Sequence, residues 1–177
     1  MTTQILLSGF GGQGILFTGK FLAYKGLLAD KNVSWLPSYG PEMRGGTASC
    51  SVIISDMPVG SPIVTTPDVL VAMNLPSLKK YEGDVVPGGI IIVDSALIAE
   101  KVSRDDVTTY YVPATKMAND EGFSTLANMI LMGKLMKVCE NVGFDGTETA
   151  LNKVVPPKKA NLIEVNLKAL KTGYDFE

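Results

Sequence analysis

The chain has 177 residues, 46% of them apolar and 19% charged, with a net charge of −2; this describes one globular domain with a real core and, lacking a basic patch, argues against nucleic acid as a partner. No apolar run reaches the about 20 residues that span a bilayer, and no positive region precedes the first apolar residues, so neither a membrane span nor a secretory leader is expected. With no histidine and only two distant cysteines, Cys50 and Cys139, a Ser-His-Asp triad, a Cys-His pair and a histidine metal site are excluded, and no closely spaced thiolates serve zinc or an iron–sulfur cluster. Isolated thiols of this kind fit a reducing cytosol, so a cytoplasmic location is expected.

Gln4 to Gly9 is a short apolar run that ends in glycines and reads as a buried strand. Residues 13–29 follow with a broad apolar helical face that includes Ile15, Phe21 and Leu28. Val33 to Leu36 forms a second strand stopped by Pro37, and 37–47 is a Pro- and Gly-rich loop. Ala48 to Ser55 is a strand, and the turn at Asp56-Met57-Pro58 leads to a hairpin partner at Val59 to Val64. Asp68 to Met73 is a strand, Asn74 caps a short helix through Tyr81, and Ile90 to Asp94 is a strand buried on both faces. Val107 to Val112 is the last strand. Ser124 opens a long helix to Glu140 that is apolar nearly all round; its methionines suit core filling or a subunit face. Two helices close the chain, 147–155 and 159–172, parted by Pro156-Pro157. This alternation predicts a single α/β domain over 1–177: three layers, a mainly parallel sheet with helices on both faces, and an antiparallel addition near 48–64. Trp35 and Phe17 are assigned to the core.

Gly9-Phe10-Gly11-Gly12-Gln13-Gly14 matches G-x-G-x-x-G between a strand and a helix, the context in which the motif carries meaning. Such a turn lets the backbone approach a ligand and aims helix amides at an anion. A dinucleotide site also wants an acidic residue at the end of the second strand, where this chain has Leu36-Pro37-Ser38; Asp30 belongs to the preceding turn. A dinucleotide, another phosphate or carboxylate, and a purely structural turn all stay open. Lys20 reaches either solvent or an anion at the turn. Asn74, Asp94 and Ser95 stand at strand ends, where they either face the same crevice as Gly11 or, the favoured reading, serve as caps and turn residues.

The stretch Ser38-Tyr39-Gly40-Pro41-Glu42-Met43-Arg44-Gly45-Gly46-Thr47 sets a carboxylate and a guanidinium among glycines at a strand end. Arg44 can fork onto an anion or form a solvated pair with Glu42. Together, Gly9-Phe10-Gly11-Gly12-Gln13-Gly14-Ile15 and Tyr39-Gly40-Pro41-Glu42-Met43-Arg44-Gly45-Gly46 resemble the gamma subunit of 2-oxoacid:ferredoxin oxidoreductases. The likeness extends to Pro67-Asp68-Val69-Leu70-Val71-Ala72-Met73 and Asn128-Met129.

The resemblance implies a subunit of a complex that oxidatively decarboxylates a 2-oxoacid to an acyl-coenzyme A and passes electrons to ferredoxin. Alpha, beta and delta-type subunits would be its partners and would carry thiamine diphosphate, magnesium and iron–sulfur clusters. It also implies a coenzyme A role for Gly9, Gly11, Gly12, Gln13, Gly14, Tyr39, Glu42 and Arg44. Family likeness favours 2-oxoglutarate or a branched-chain 2-oxoacid. No tightly bound cofactor, metal ligand or catalytic residue is assigned to this chain. Glu82-Gly83-Asp84-Val85 does not make a thiamine motif, so the chain alone is expected to be inactive. The competing reading is a free-standing dinucleotide-binding protein.

Overall fold

The computed structural model describes residues 1–38 and 47–177. Its described residues form a six-stranded sheet in the order β2-β3-β1-β4-β5-β6. The strands are β1 (Thr2–Phe10), β2 (Asn32–Ser38), β3 (Thr47–Ser55), β4 (Val69–Ala72), β5 (Ile90–Asp94) and β6 (Thr108–Val112). β1, β4, β5 and β6 run parallel, with Leu6 beside Leu70 and Leu70 beside Ile91. Their unbroken apolar runs follow from burial on both faces.

The antiparallel part is β3 itself, which runs against both β1 and β2. Residues 59–64, expected as its hairpin partner, form no strand. Pro62 removes an amide donor from that stretch, and Pro58 removes another just before it. β2 runs on through Pro37, which an edge strand tolerates. Its edge position also corrects the reading of Trp35, which is 38% exposed rather than core, while Phe17 is partly buried.

Helices α1 (Ile15–Leu28), α2 (Leu75–Tyr81), α3 (Ala114–Asp120), α4 (Ala127–Val138), α5 (Thr147–Val154) and α6 (Leu162–Asp175) cover the two faces unequally. The larger core gathers Ile5, Leu7, Val71 and Ile92 of the sheet under α1, α4, α5 and α6. The smaller gathers Leu6, Leu70, Ile91 and Val93 with Leu78 of α2. The expected 124–140 helix is shorter: Ser124 is not its cap, and it begins after Leu126. Every residue from Ala127 to Met136 is buried, as its all-round apolar sequence implied.

α4 crosses α6 at backbone contact. A Cβ on Gly133 would overlap the Leu170 carbonyl, and one on Gly173 the Ile130 carbonyl. Two small residues at this crossing are therefore a packing requirement.

Candidate functional site

The connection after β1 enters α1 on the larger core, and the connection after β4 enters α2 on the opposite face. The C-terminal ends of β1 and β4 are thus a topological switch point, the place where open α/β sheets hold ligands. The glycine turn stands there. Gln13 braces it: Oε1 accepts from the Phe10 amide at 2.6 Å, and Nε2 donates to the Met73 carbonyl at 3.2 Å. One side chain thereby ties the turn to the neighbouring strand end, and Met73 N donates to Ser8 O at 2.8 Å.

Gly14 ends the turn in the left-handed region, φ 78°, and serves as the N-cap of α1 with no capping side chain. A side chain there would be strained and would strike the Asn128 amide. The first intrahelical bond is Thr18 N to Gly14 O at 3.0 Å. The Ile15, Leu16 and Phe17 amides precede it, so they have no intrahelical acceptor. The first turn carries no acid. A cavity of about 250 Å³ opens here, lined by Phe10, Gly11, Gly12, Gly14, Ile15 and Ala48. Its chemistry is that of an anion seat: backbone donors plus the positive end of a fourteen-residue helix.

The structure therefore brings Gly9, Gly11, Gly12, Gln13 and Gly14 together. Tyr39, Glu42 and Arg44 lie outside the described residues. The strand ends that flank them, Ser38 and Thr47, lie on β2 and β3, and Thr47 pairs with Phe10 at the turn.

The other strand ends are occupied by caps. Asn74 Oδ1 accepts from Ser77 N at 2.8 Å at the start of α2. Asp94 is fully buried and accepts from Ala96 N, Thr115 N and Thr115 Oγ1, which joins β5 to α3. Ser95 N donates to Val112 O. Each follows the cap and turn roles expected of it.

Two features escaped the sequence reading. Asn128, in the first turn of α4, donates to Thr18 Oγ1 at 2.9 Å and Gly14 O at 3.4 Å, so a residue 114 positions away holds the turn. An Asn ahead of the apolar run Met129 to Met132 was the available signal. Lys25 is 5% exposed and donates to the Asp145 carbonyl and Thr147 Oγ1. Burial lowers its pKa to about 8, against the pull of the Asp145 carboxylate.

Both cysteines are buried and reduced. Burial raises Cys50 to about 12 and also raises Cys139, so both are poor nucleophiles. Among the described residues, no three His, Cys, Asp or Glu side chains gather to hold a metal, and no helix is long and apolar enough to cross a membrane.

The sequence pattern of the pyruvate ferredoxin/flavodoxin oxidoreductase family matches residues 4–176. The ketoisovalerate oxidoreductase subunit VorA of Methanothermobacter marburgensis is 40% identical over 177 residues, covering 98% of this chain and 36% of that protein. The chain thus spans little more than a third of that relative. The 2-oxoglutarate synthase subunit KorC of Methanocaldococcus jannaschii is 38% identical over 178 residues, covering 99% of this chain and 94% of that protein. Among solved structures, the gamma subunit of a keto/oxoacid ferredoxin oxidoreductase from Geobacter sulfurreducens superposes with a TM-score of 0.83 at 31% identity, covering 98% of this chain and 96% of that one.

Proposed function

The chain belongs to the pyruvate ferredoxin/flavodoxin oxidoreductase family, and on that premise we propose that it is the gamma-type subunit of a 2-oxoacid:ferredoxin oxidoreductase complex. The observation that carries the proposal is the family match across nearly the whole chain, joined to a bare, positively polarised α1 terminus at the switch point. The complex oxidatively decarboxylates a 2-oxoacid, forms its acyl-coenzyme A and reduces ferredoxin. Relatives named for ketoisovalerate and 2-oxoglutarate support a branched-chain 2-oxoacid or 2-oxoglutarate as substrate.

Two groups of cofactors are separated by what the residues fit. Thiamine diphosphate, magnesium and iron–sulfur clusters do not fit this chain: no Gly-Asp-Gly motif is present, and its two thiols sit buried at separate points, in β3 and after α4. Alpha, beta and delta-type partners supply them. Coenzyme A does fit. Its phosphates suit the amides of the glycine turn and of Ile15, Leu16 and Phe17; the family resemblance adds Tyr39, Glu42 and Arg44, of which Arg44 has the charge to meet a phosphate. When bound, coenzyme A supplies the thiol that accepts the acyl group. The work of this chain is to position and orient it.

Co-expression with its chromosomal neighbours tests the reading. The expected result is a copurifying complex that reduces a low-potential acceptor only when 2-oxoacid and coenzyme A are both present. The isolated chain should show no turnover with thiamine diphosphate and magnesium. Ketoisovalerate, 2-oxoglutarate and pyruvate, assayed side by side, identify the substrate. A homo-oligomer that carries a dinucleotide and captures no partner would contradict the proposal.

A further inference from the structure

Asp145 is the only aspartate in the chain that a glycine follows. At such a pair the glycine nitrogen, which its own residue does not shield with a side chain, can attack the carboxyl carbon of the aspartate. Asp145 and Gly146 are both exposed, in the turn between α4 and α5. They line a cavity of about 430 Å³ together with Lys25 and Asn141. Gly146 is the N-cap of α5, and a Cβ built on it would meet nothing within 4 Å. Among the described residues the Gly146 amide donates to no backbone acceptor, and the Asp145 carboxylate forms no salt bridge. Ring closure between the two groups therefore has none of these contacts to break.

An amine is held on the peptide unit that joins them. Lys25, 5% exposed, donates from Nζ to the main-chain carbonyl of Asp145, and Thr147 Oγ1 is its other acceptor. An ammonium on a peptide oxygen draws electron density from the nitrogen of the same unit, so that N–H becomes more acidic. It also makes the carbonyl carbon more electrophilic, as any donor aimed at a developing oxyanion does. Gly146 further stands at the positive end of α5, which favours negative charge as it forms on the nitrogen.

We propose that Asp145-Gly146 is a self-modification site at which Asp145 rearranges to isoaspartate, with Lys25 as the catalytic residue. The Gly146 nitrogen gives up its proton and bonds to Cγ of Asp145, while one carboxyl oxygen leaves as water. A succinimide ring results. Water then adds at the former main-chain carbonyl, the one that Lys25 polarises, and the bond from that carbon to nitrogen breaks. The water taken up balances the water lost, and no oxidant or reductant enters. The main chain now runs through Cγ and is longer by a single carbon. The freed α-carboxylate forms beside the Lys25 ammonium, so a neutral hydrogen bond becomes an ion pair.

Incubation of the full chain at neutral pH in heavy-oxygen water, followed by peptide mapping with mass spectrometry, tests the site. The peptide that spans Asp145-Gly146 should take up heavy oxygen and yield isoaspartate, and should do so faster in the folded chain than in the same chain unfolded in urea. Folding ordinarily slows this rearrangement, so the order of the two rates is diagnostic. Lys25→Met should lower the folded rate about tenfold or more. Asp145→Glu, whose ring would need a further carbon, should take up no label at this peptide. Melting curves establish that the variants fold, and the comparison of folded with urea-unfolded chain decides the matter if Lys25→Met does not. No label in the folded chain, a folded rate at or below the rate in urea, or an undiminished rate in folded Lys25→Met would overturn the proposal.

Discussion

The two faces of the sheet are built on different terms although the same strands make both. On one face, α1, α4, α5 and α6 bury Ile5, Leu7, Val52 and Ile92, and two glycines let α4 and α6 touch backbone to backbone. On the other, α2 packs over β1 and β4, while Ser34 and Ser38 of β2 and Ser49, Ser51 and Ser55 of β3 share the outer half with Leu36 and Ile53. The period of two puts alternate residues of one strand on unlike surfaces. The stability of the chain is therefore concentrated on the α4 face, and the glycine turn stands where the chain's connections pass from that face to the other.

The sharpest way to break this comparison is at the helix crossing. Gly133→Ala and Gly173→Ala should each destabilise the chain by about 3 kcal/mol or more, since backbone must move to admit the methyl. Leu36→Ala, 38% exposed on the outer half of the opposite face, should cost less than about 1 kcal/mol. Chemical denaturation of the three variants measures both, and equal losses would dissolve the contrast.

A smaller effect is expected where the α4 face meets the turn. Asn128→Ala removes the donor shared by Thr18 Oγ1 and Gly14 O. It should cost about 1–3 kcal/mol and speed hydrogen exchange at the start of α1. A stability loss without faster exchange there would mean that Asn128 only fills space.

The smallest effect is a pH dependence. Folded Lys25 loses its proton near pH 8, whereas the unfolded side chain keeps it to about 10.5. Between those values the unfolded chain binds more protons, so this residue makes stability rise with pH. The buried thiols oppose it above about pH 9, because their folded pKa values are raised. Subtracting the profile of Lys25→Met cancels the thiols. The difference should rise by about 1–2 kcal/mol from pH 8 to 10. A flat difference would show that the Asp145 carbonyl and Thr147 hydroxyl fully replace water around the amine.

The parallel half of the fold was legible because an unbroken apolar run needs no partner to be read: Ile90 to Val93 and Val69 to Ala72 are apolar without interruption. An antiparallel addition near 48–64 was legible too, and β3 supplies it; its place between β1 and β2 was not, since pairing Thr2 with Ser55 and Asn32 with Ser55 is decided by contacts distant in sequence. α3 was missed because its cap, Asp94, lies on another element. The glycine turn announced itself through residue types with special backbone freedom. Its brace to Met73 and its lock by Asn128 did not, because both are contacts between segments remote in the chain.

The central claim is that the α1 terminus seats an anion of coenzyme A within the complex, and Gly11→Asp tests it most directly. A carboxylate at a helix N-terminus favours the helix, and Gly11 is exposed with no left-handed φ, so the fold should stand. The same carboxylate repels a phosphate. The reconstituted complex should then show a coenzyme A KM raised about tenfold or more, with Gly11→Ser shifting it less and melting temperatures preserved. An unchanged coenzyme A KM in a fully assembled Gly11→Asp complex would contradict the claim and return the turn to a structural role.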